Sequence, residues 1–277
     1  MVQIYVKNID ELLNSGYSRK YSICTLVTDK DIYQSMCESF FAAGFTPDVA
    51  EYWYIDNSVE NTTDAYSGIN KFLAIAKGQY IIICHQDILL EYDRIEQLQK
   101  CIFQLNDLDP NWGLLGNAGG IQLGKRAIRI TDPHGANKRT ANLPAKVQSL
   151  DENFILIRKD ANLGASRDLS GFHLYGLDLC LLAMMRGYSA YVVDFHLKHL
   201  SPGKTDADYH ACKNLIIRKY QKILPRKYYQ TTCFPLYISR NTVLNSLMNN
   251  PYLIKLMEKY YNFLNERRKQ NNEGAFK

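Results

Sequence analysis

Apolar positions along the first hundred residues switch between two periods, and the switches mark the elements. YSICTLVT (residues 21–28) is an unbroken apolar, β-branched run, the mark of a strand buried on both faces. Asp29 to Asp31 offer a helix cap, and Ile32 to Ala43 carry apolar residues at helical spacing up to a stop at Gly44. AEYWYID (50–56) is a second strand, ending on Asp56, Asn57 and Ser58. Residues 64–77 read as a helix with Ile69, Phe72, Leu73 and Ala76 on one face and Gly78 as its stop. YIIICHQDILL (80–90) is a third strand that closes on His85, Gln86 and Asp87, and a helix comes next over about 91–106. Residues 1–20 add a short strand (VQIYV) and a polar helix-like piece near Gly16.

Strand–helix alternation of this kind predicts an α/β fold with a parallel sheet and helices on its faces. Three times a polar cluster falls at the C-terminal end of a strand: Thr28 and Asp29, Asp56 to Ser58, and His85 to Asp87. In an open α/β sheet, ligands bind at that edge.

The pattern then loosens. WGLLGNAGG (112–120) is a strand whose end is crowded with glycines, which permit either a bend or close backbone approach to a sugar. The glycines lack the spacing of a dinucleotide fingerprint. Residues 131–146, rich in Gly, Pro and Asn, read as a long loop, and KVQSLDENFILIRKD as two short strands. Residues 173–204 read as a helix to Arg186, a stop at Gly187, a strand (YVVDF) and a His-Ser-Pro-Gly-Lys loop. From 206 onward helical stretches are punctuated by Pro225, Pro235 and Pro251, with Leu253, Leu256, Met257, Tyr260 and Leu264 on one stripe. The organisation expected is a catalytic domain over 1–205 and a C-terminal helical extension over 206–277.

Composition narrows the classes without naming one. The 277 residues are 46% hydrophobic and 22% charged, the balance of an ordinary globular protein. A net charge of +5 is too small for a nucleic-acid binder and suits an anionic ligand or contact with an acidic membrane surface. The seven cysteines include no C-x-x-C pair and sit largely in apolar runs, so they are expected to be free thiols of a cytoplasmic protein. No apolar run is long enough to span a bilayer, which leaves peripheral contact with the inner face of a membrane. The basic residues Arg218, Lys219, Lys222, Arg226 and Lys227 read first as a solvated face and second as such a contact.

The order of segments resembles inverting nucleotide-sugar glycosyltransferases of family 2, with the GT-A fold: strand-Thr-Asp, strand-Asp-Asn-Ser, NKFLAIAKGQYIIICHQDI, GLLGNAGG, LYGLDLCLLAMMRGY and HLSPG. The resemblance covers roughly residues 21–204, and its His-Gln-Asp is similar to a bacterial branch that has this tripeptide in place of Asp-x-Asp. It implies a Rossmann-like, mostly parallel central sheet flanked by helices. It also implies transfer of a sugar from a nucleotide-diphosphate-sugar, with UDP the expected nucleotide, to a glycan or lipid-linked acceptor in bacterial surface polysaccharide synthesis. The departing diphosphate gathers negative charge, which a hard divalent cation, Mn²⁺ or Mg²⁺, neutralises. Asp87 is the natural ligand; the resemblance adds His199 as a second, with Ser201 and Lys204 near the phosphates. His85 stands where many relatives have a carboxylate, which is expected to weaken metal binding or to shift its preference toward Mn²⁺. Thr28, Asp29 and Asp56, with Asn57 and Ser58, match the base and ribose contacts, and Asn70 and Gln86 join the donor side.

An inverting transfer needs one general base. In the segment 176–186, where the family places its carboxylates, Asp178 is the one acid, and Gly176 stands where a second acid is common. Asp178 is therefore the expected base, with a base from elsewhere or an impaired enzyme as alternatives. Each residue also has a purely structural reading. Asp87 and Asp178 suit helix caps, Asp56-Asn57-Ser58 makes a good turn, and His199 suits a structural histidine. The competing functions are a degenerate, non-catalytic nucleotide- or glycan-binding protein, kept alive by His85 and Gly176, and a sugar-phosphate nucleotidyltransferase. The second lacks its Gly-rich, Arg-Lys loop after the first strand. The C-terminal segment is expected to bind the acceptor, shape a homodimer or touch the membrane.

Overall fold

The computed structural model describes residues 17–203 and 206–274; the strand and helix expected within 1–16, and Lys204, lie outside the described residues. In chain order the elements begin β1 (Arg19–Val27), α1 (Lys30–Ala42), β2 (Ala50–Asp56), α2 (Ala65–Ile75), β3 (Gly78–Cys84), β4 (Ile88–Leu89) and α3 (Ile95–Leu108). The strand-rich middle comprises β5 (Trp112–Gly116), β6 (Ala118–Gln122), β7 (Lys125–Asp132), β8 (Gly135–Thr140), β9 (Ala145–Val147), β10 (Ser149–Leu150) and β11 (Phe154–Arg158). The chain ends with α4 (Tyr175–Met185), β12 (Ser189–Val192), β13 (Leu197–His199), α5 (Ala207–Tyr220), β14 (Lys227–Gln230), β15 (Pro235–Ile238), α6 (Thr242–Met248) and α7 (Pro251–Gly274).

The central sheet has the order β2-β1-β3-β11-β5-β12-β9. β1 runs parallel to β2 and β3, β12 runs parallel to β5, and β11 enters antiparallel between β3 and β5. Alternate residues of β1 and β3 feed two cores, which is why their sequences read as unbroken apolar runs. Cys24, Ile81 and Ile83 pack with α2 and α4, whereas Tyr21, Ile23 and Ile82 pack with Met36 and Phe40 of α1 and Leu98 and Leu105 of α3. The fold is thus α/β, with a mostly parallel central sheet flanked by helices, as expected.

A second sheet, β10-β6-β7-β13-β4 with β8 on β7, was not foreseen. The glycine-rich 112–120 stretch is two strands, β5 and β6, that divide between the sheets at Asn117. The loop expected over 131–146 is largely strand: β8 pairs with β7, and β9 joins the central sheet beside β12. β8 (GANKRT) has no buried residue, so it carries no apolar signal and its polar sequence reads as loop.

The segment from 206 on is not wholly helical, because β14 and β15 pair between α5 and α6. Tyr209, Cys212, Ile216 and Tyr220 of α5, with Tyr229, Leu236 and Ile238 of the hairpin, join the same buried cluster as α4. The hairpin docks beside β6 and β10: Ser149 Oγ of β10 donates to the Gln230 carbonyl at 2.6 Å, and Gly124 N–H, in the turn after β6, donates to the Gln230 side chain at 2.8 Å. A Cβ at Gly120 would fall on the Gln230 carbonyl oxygen, well inside contact distance. These glycines therefore admit a protein backbone rather than a sugar.

Gly120→Ala is expected to lower stability by about 1–3 kcal/mol, the usual toll of overpacking. The denaturant midpoint measures this; an unchanged midpoint would mean that the hairpin does not sit on β6.

Candidate functional site

The site begins where β3 runs out. Its last residue, Cys84, is buried, and the next three side chains, His85, Gln86 and Asp87, emerge half-buried at the C-terminal edge of the central sheet. The chain then re-enters as β4, whose antiparallel partner is β13 with Ile88 opposite His199. Leu200 N–H donates to the Asp87 carbonyl at 2.9 Å and closes the ladder. That register sets His199 against Asp87.

Three donor atoms converge. His199 Nε2 lies 3.3 Å from Asp87 Oδ1 and 3.5 Å from His85 Nδ1, and His85 Nδ1 lies 3.9 Å from Asp87 Oδ1. Ligands about 2.1 Å from one metal ion stand about 3.0–3.4 Å apart at adjacent corners, so these edges nearly match an unfilled coordination shell. Among the described residues this is the one such His/Cys/Asp/Glu group, and it can hold a metal ion. Two imidazoles and one carboxylate suit a borderline transition metal better than Mg²⁺. An outer contact orients His85, whose Nε2 is 3.1 Å from Tyr175 Oη while Nδ1 faces the cluster; Ser201 Oγ, 3.3 Å from His199 Nε2, stands beside the donor atoms themselves. Burial works against the Asp87 charge, but the hydrogen bond and charge of His199, with His85 and Ser201, hold its carboxyl well below the usual range. Burial and the neighbouring His199 push His85 down. Burial also pulls on His199, yet the Asp87 carboxylate raises it overall. His85, expected on the donor side, thus stands among the metal-competent atoms.

Gln86 ties this corner to the end of β1. Its Oε1 accepts from the N–H groups of Thr28 (2.8 Å) and Asp29 (3.0 Å), and its Nε2 donates to Thr28 Oγ1 at 2.8 Å. Asp29 caps α1, accepting from the N–H groups of Asp31 and Ile32. Asp56 pairs with Lys30 at 2.8 Å and accepts from Ser58 N–H and Oγ; Lys30 and Ser58 keep its carboxyl far below the ordinary value. Asn57 is buried and staples its own loop, donating to the Thr63 carbonyl and accepting from Thr62 Oγ1. Asn70 grips Ala165 with both ends of its amide, at 2.9 and 3.1 Å. Asn57 and Asn70 are thereby engaged in holding backbone, while Thr28, Asp29, Asp56 and Ser58 stand exposed along the rim.

Asp178 does not reach this surface. It is 0% exposed, and both oxygens are engaged by Ser166 N–H (2.8 Å), Ser166 Oγ (2.7 Å) and Tyr220 Oη (2.5 Å). Burial raises its pKa against those bonds. A carboxylate in this setting meets no acceptor hydroxyl, which corrects the expectation that Asp178 is the base; it fastens the 164–169 segment and α5 to α4. Gly176 cannot be the seat of a lost acid as the backbone now runs, because a Cβ there would fall on the Leu150 carbonyl oxygen.

Sequence reasoning passed over Glu152, a half-buried acid just before β11. Burial, with the adjacent Asp151, pushes its carboxyl up to about 8, and the N–H groups of Gly176, Leu174 and Tyr175 at the start of α4 pull the other way. Leu174, the residue before α4, takes a left-handed φ of 64°, a strained conformation for a branched side chain. The one sequence sign was the acidic pair in LDENF. A groove of about 460 Å³ between α5 and α6 is lined by other residues.

No family model matches the chain. A protein of Fuscovulum blasticum called "ATP synthase subunits region ORF 6", a name that states no activity, is 36% identical over 230 residues, covering 81% of this chain and 90% of that protein. Among solved structures, a mannosyltransferase from Pyrobaculum calidifontis in complex with GDP-Man and Mn²⁺ is similar with a TM-score of 0.45 and 14% identity, over 76% of this chain and 66% of that one. S. aureus TarS in complex with UDP-GlcNAc is similar with a TM-score of 0.48 and 10% identity, over 74% of this chain and 68% of that one.

The two unusual carboxyl groups give two expected outcomes. Asp178→Asn places an amide donor before the donors Ser166 and Tyr220, and thermal denaturation is expected to show a loss of about 1–3 kcal/mol. Glu152 protonates at about 8 when folded and at about 4.3 in an unfolded chain. Between those values the folded state holds the extra proton, so stability present at low pH is lost as pH rises toward 8. Glu152→Gln should therefore flatten the fall in denaturation midpoint between pH 5 and 8.5.

Proposed function

The chain belongs to the family of its Fuscovulum blasticum relative, and we propose that it is an inverting glycosyltransferase of the family 2, GT-A type. It would move a sugar from a nucleotide-diphosphate-sugar, preferably a UDP-sugar, to a glycan or lipid-linked acceptor of a bacterial surface polysaccharide. One observation carries the reading: His85, Asp87 and His199 present metal-competent atoms at the C-terminal edge of a mostly parallel sheet, where such folds take their ligands. The exposed ends of β1 and β2 lie along the same edge, joined to it by Gln86 and by the Lys30–Asp56 pair.

In this reading His85, Asp87 and His199 hold the divalent cation, Mn²⁺ in preference to Mg²⁺. The charge of that cation offsets the negative charge that builds on the departing diphosphate. Thr28, Asp29, Asp56 and Ser58 meet the nucleoside, and Asn57 and Asn70 keep the flanking loops in place. Ser201 adds a hydroxyl on the phosphate side, and Lys204 a cation. The segment 206–277 shapes the acceptor side; among the described residues no helix is long and apolar enough to cross a membrane. A second reading, a binding protein without turnover, draws on the burial of Asp178 and on Gly176.

A melting-temperature panel of UDP, GDP and their sugars, with and without MnCl₂, tests the reading. A nucleotide at a hundred times its Kd stabilises by about 2.7 kcal/mol. The expected result is a rise with a UDP-sugar that grows with Mn²⁺, and loss of the Mn²⁺-dependent part in Asp87→Ala and His199→Ala. A flat panel sinks the proposal.

A further inference from the structure

We propose that Glu152 is the general base of the transfer, standing in for the acid that the α4 segment lacks; this rests on the transferase reading. Four observations meet there. Asp178 is sealed and fully bonded. Gly176 has no room for a side chain, because the Leu150 carbonyl, two residues before Glu152, occupies that space. The first N–H groups of α4, which have no side-chain cap of their own, face the Glu152 carboxyl and can hold it when ionised. Tyr175 Oη lies 3.1 Å from both His85 Nε2 and the Glu152 carbonyl oxygen, so one side chain joins Glu152 to the metal-competent cluster.

The carboxyl also has the surroundings of a group that exchanges a proton. Those that share its field are Asp151 beside it, Tyr66 from α2, Tyr175 from α4, Tyr209 and Cys212 from α5, and Cys233 from the turn between β14 and β15. The nearby histidines are engaged elsewhere, His173 with Asp206 and His85 with Tyr175 and His199, so among the described residues no ion pair fixes its charge, and its proton affinity near 8 suits a base at neutral pH.

The step balances. The acceptor oxygen forms its bond to the anomeric carbon, and the bond from that carbon to the diphosphate oxygen breaks. The diphosphate leaves with the electron pair, and the acceptor proton passes to a Glu152 oxygen.

Slow hydrolysis, with water as acceptor, tests this without knowledge of the natural acceptor. Nucleotide release from a panel of UDP- and GDP-sugars with MnCl₂ is followed from pH 6 to 9.5 for the wild type, Glu152→Gln and Glu152→Asp. The expected result is wild-type release that rises with pH and levels off above about 8. Glu152→Gln should slow it about 100-fold or more while keeping the thermal shift with UDP and Mn²⁺. Glu152→Asp should keep the levelling at a lower rate. If Glu152→Gln fails to fold, the wild-type and Glu152→Asp profiles decide, since release that climbs tenfold per pH unit without levelling reports hydroxide attack and overturns the assignment. Equal release by the wild type and Glu152→Gln overturns the base but leaves the transferase. No release from any donor by the wild type overturns both.

Discussion

The short antiparallel ladder between β4 and β13 is the constraint on which the site depends. Asp87 and His199 are far apart in the chain, and only the pairing of Ile88 with His199, closed by Leu200 N–H on the Asp87 carbonyl, sets their side chains side by side. A slip of one residue would turn His199 to the opposite face and part the donors. β13 is held in turn by β7, with Leu197 opposite Ile130, and Leu197 and Ile130 are buried in the core beneath α1 and α3. The register is thus fixed by hydrophobic burial on one side of the ladder, and the polar residues on the other side inherit their positions.

This explains which parts were legible from the residues alone. β1, β2, β3 and their helices announce themselves because burial on both faces demands unbroken apolar runs and α1 to α3 need apolar faces. The second sheet does not announce itself. β8 is a wholly unburied hairpin strand, and β4, β10 and β13 are two or three residues long, too short for any period to show. The site is legible in the same proportion. His85 to Asp87 could be placed at a sheet edge, since they come directly after a long buried strand. Metal-competent geometry for His199 came from resemblance, because a three-residue strand leaves no mark. Asp178 was misjudged because the resemblance matches residue types along a helix and says nothing of whether their oxygens are already engaged.

Hydrogen-bond partners divide the polar residues of the rim more sharply than their types do. Asp29, Asn57 and Asn70 each hold backbone groups of their own scaffold. Buried or partly buried amides with both ends bonded are costly to disturb, since removing one partner strands the other. These residues therefore stiffen the edge, and under the proposed transfer stiffness matters there, because a site that holds a diphosphate and a hydroxyl in line gains from positions fixed before binding. Asp87 and Glu152 differ from them. Each keeps some exposure, and each has its proton affinity moved, in opposite directions, by its surroundings.

That opposition comes from burial and charge together. Asp87 sits among imidazoles and a hydroxyl, which favour its anion against burial, while burial and the adjacent Asp151 carboxyl disfavour the anion of Glu152. Two acids with proton affinities driven apart can serve two roles at one pH, one as a permanent anion and one as a proton carrier. Tyr175 touches both neighbourhoods, through the His85 ring and the Glu152 carbonyl. The backbone explains why the carrier sits on the strand side rather than on the helix. With Leu150 pressed against Gly176, α4 approaches β10 too closely for a side chain at position 176. A carboxyl rising from the segment after β10 reaches the same N–H groups from the opposite direction, so the close packing that removes one acid from the helix makes room for another in front of it.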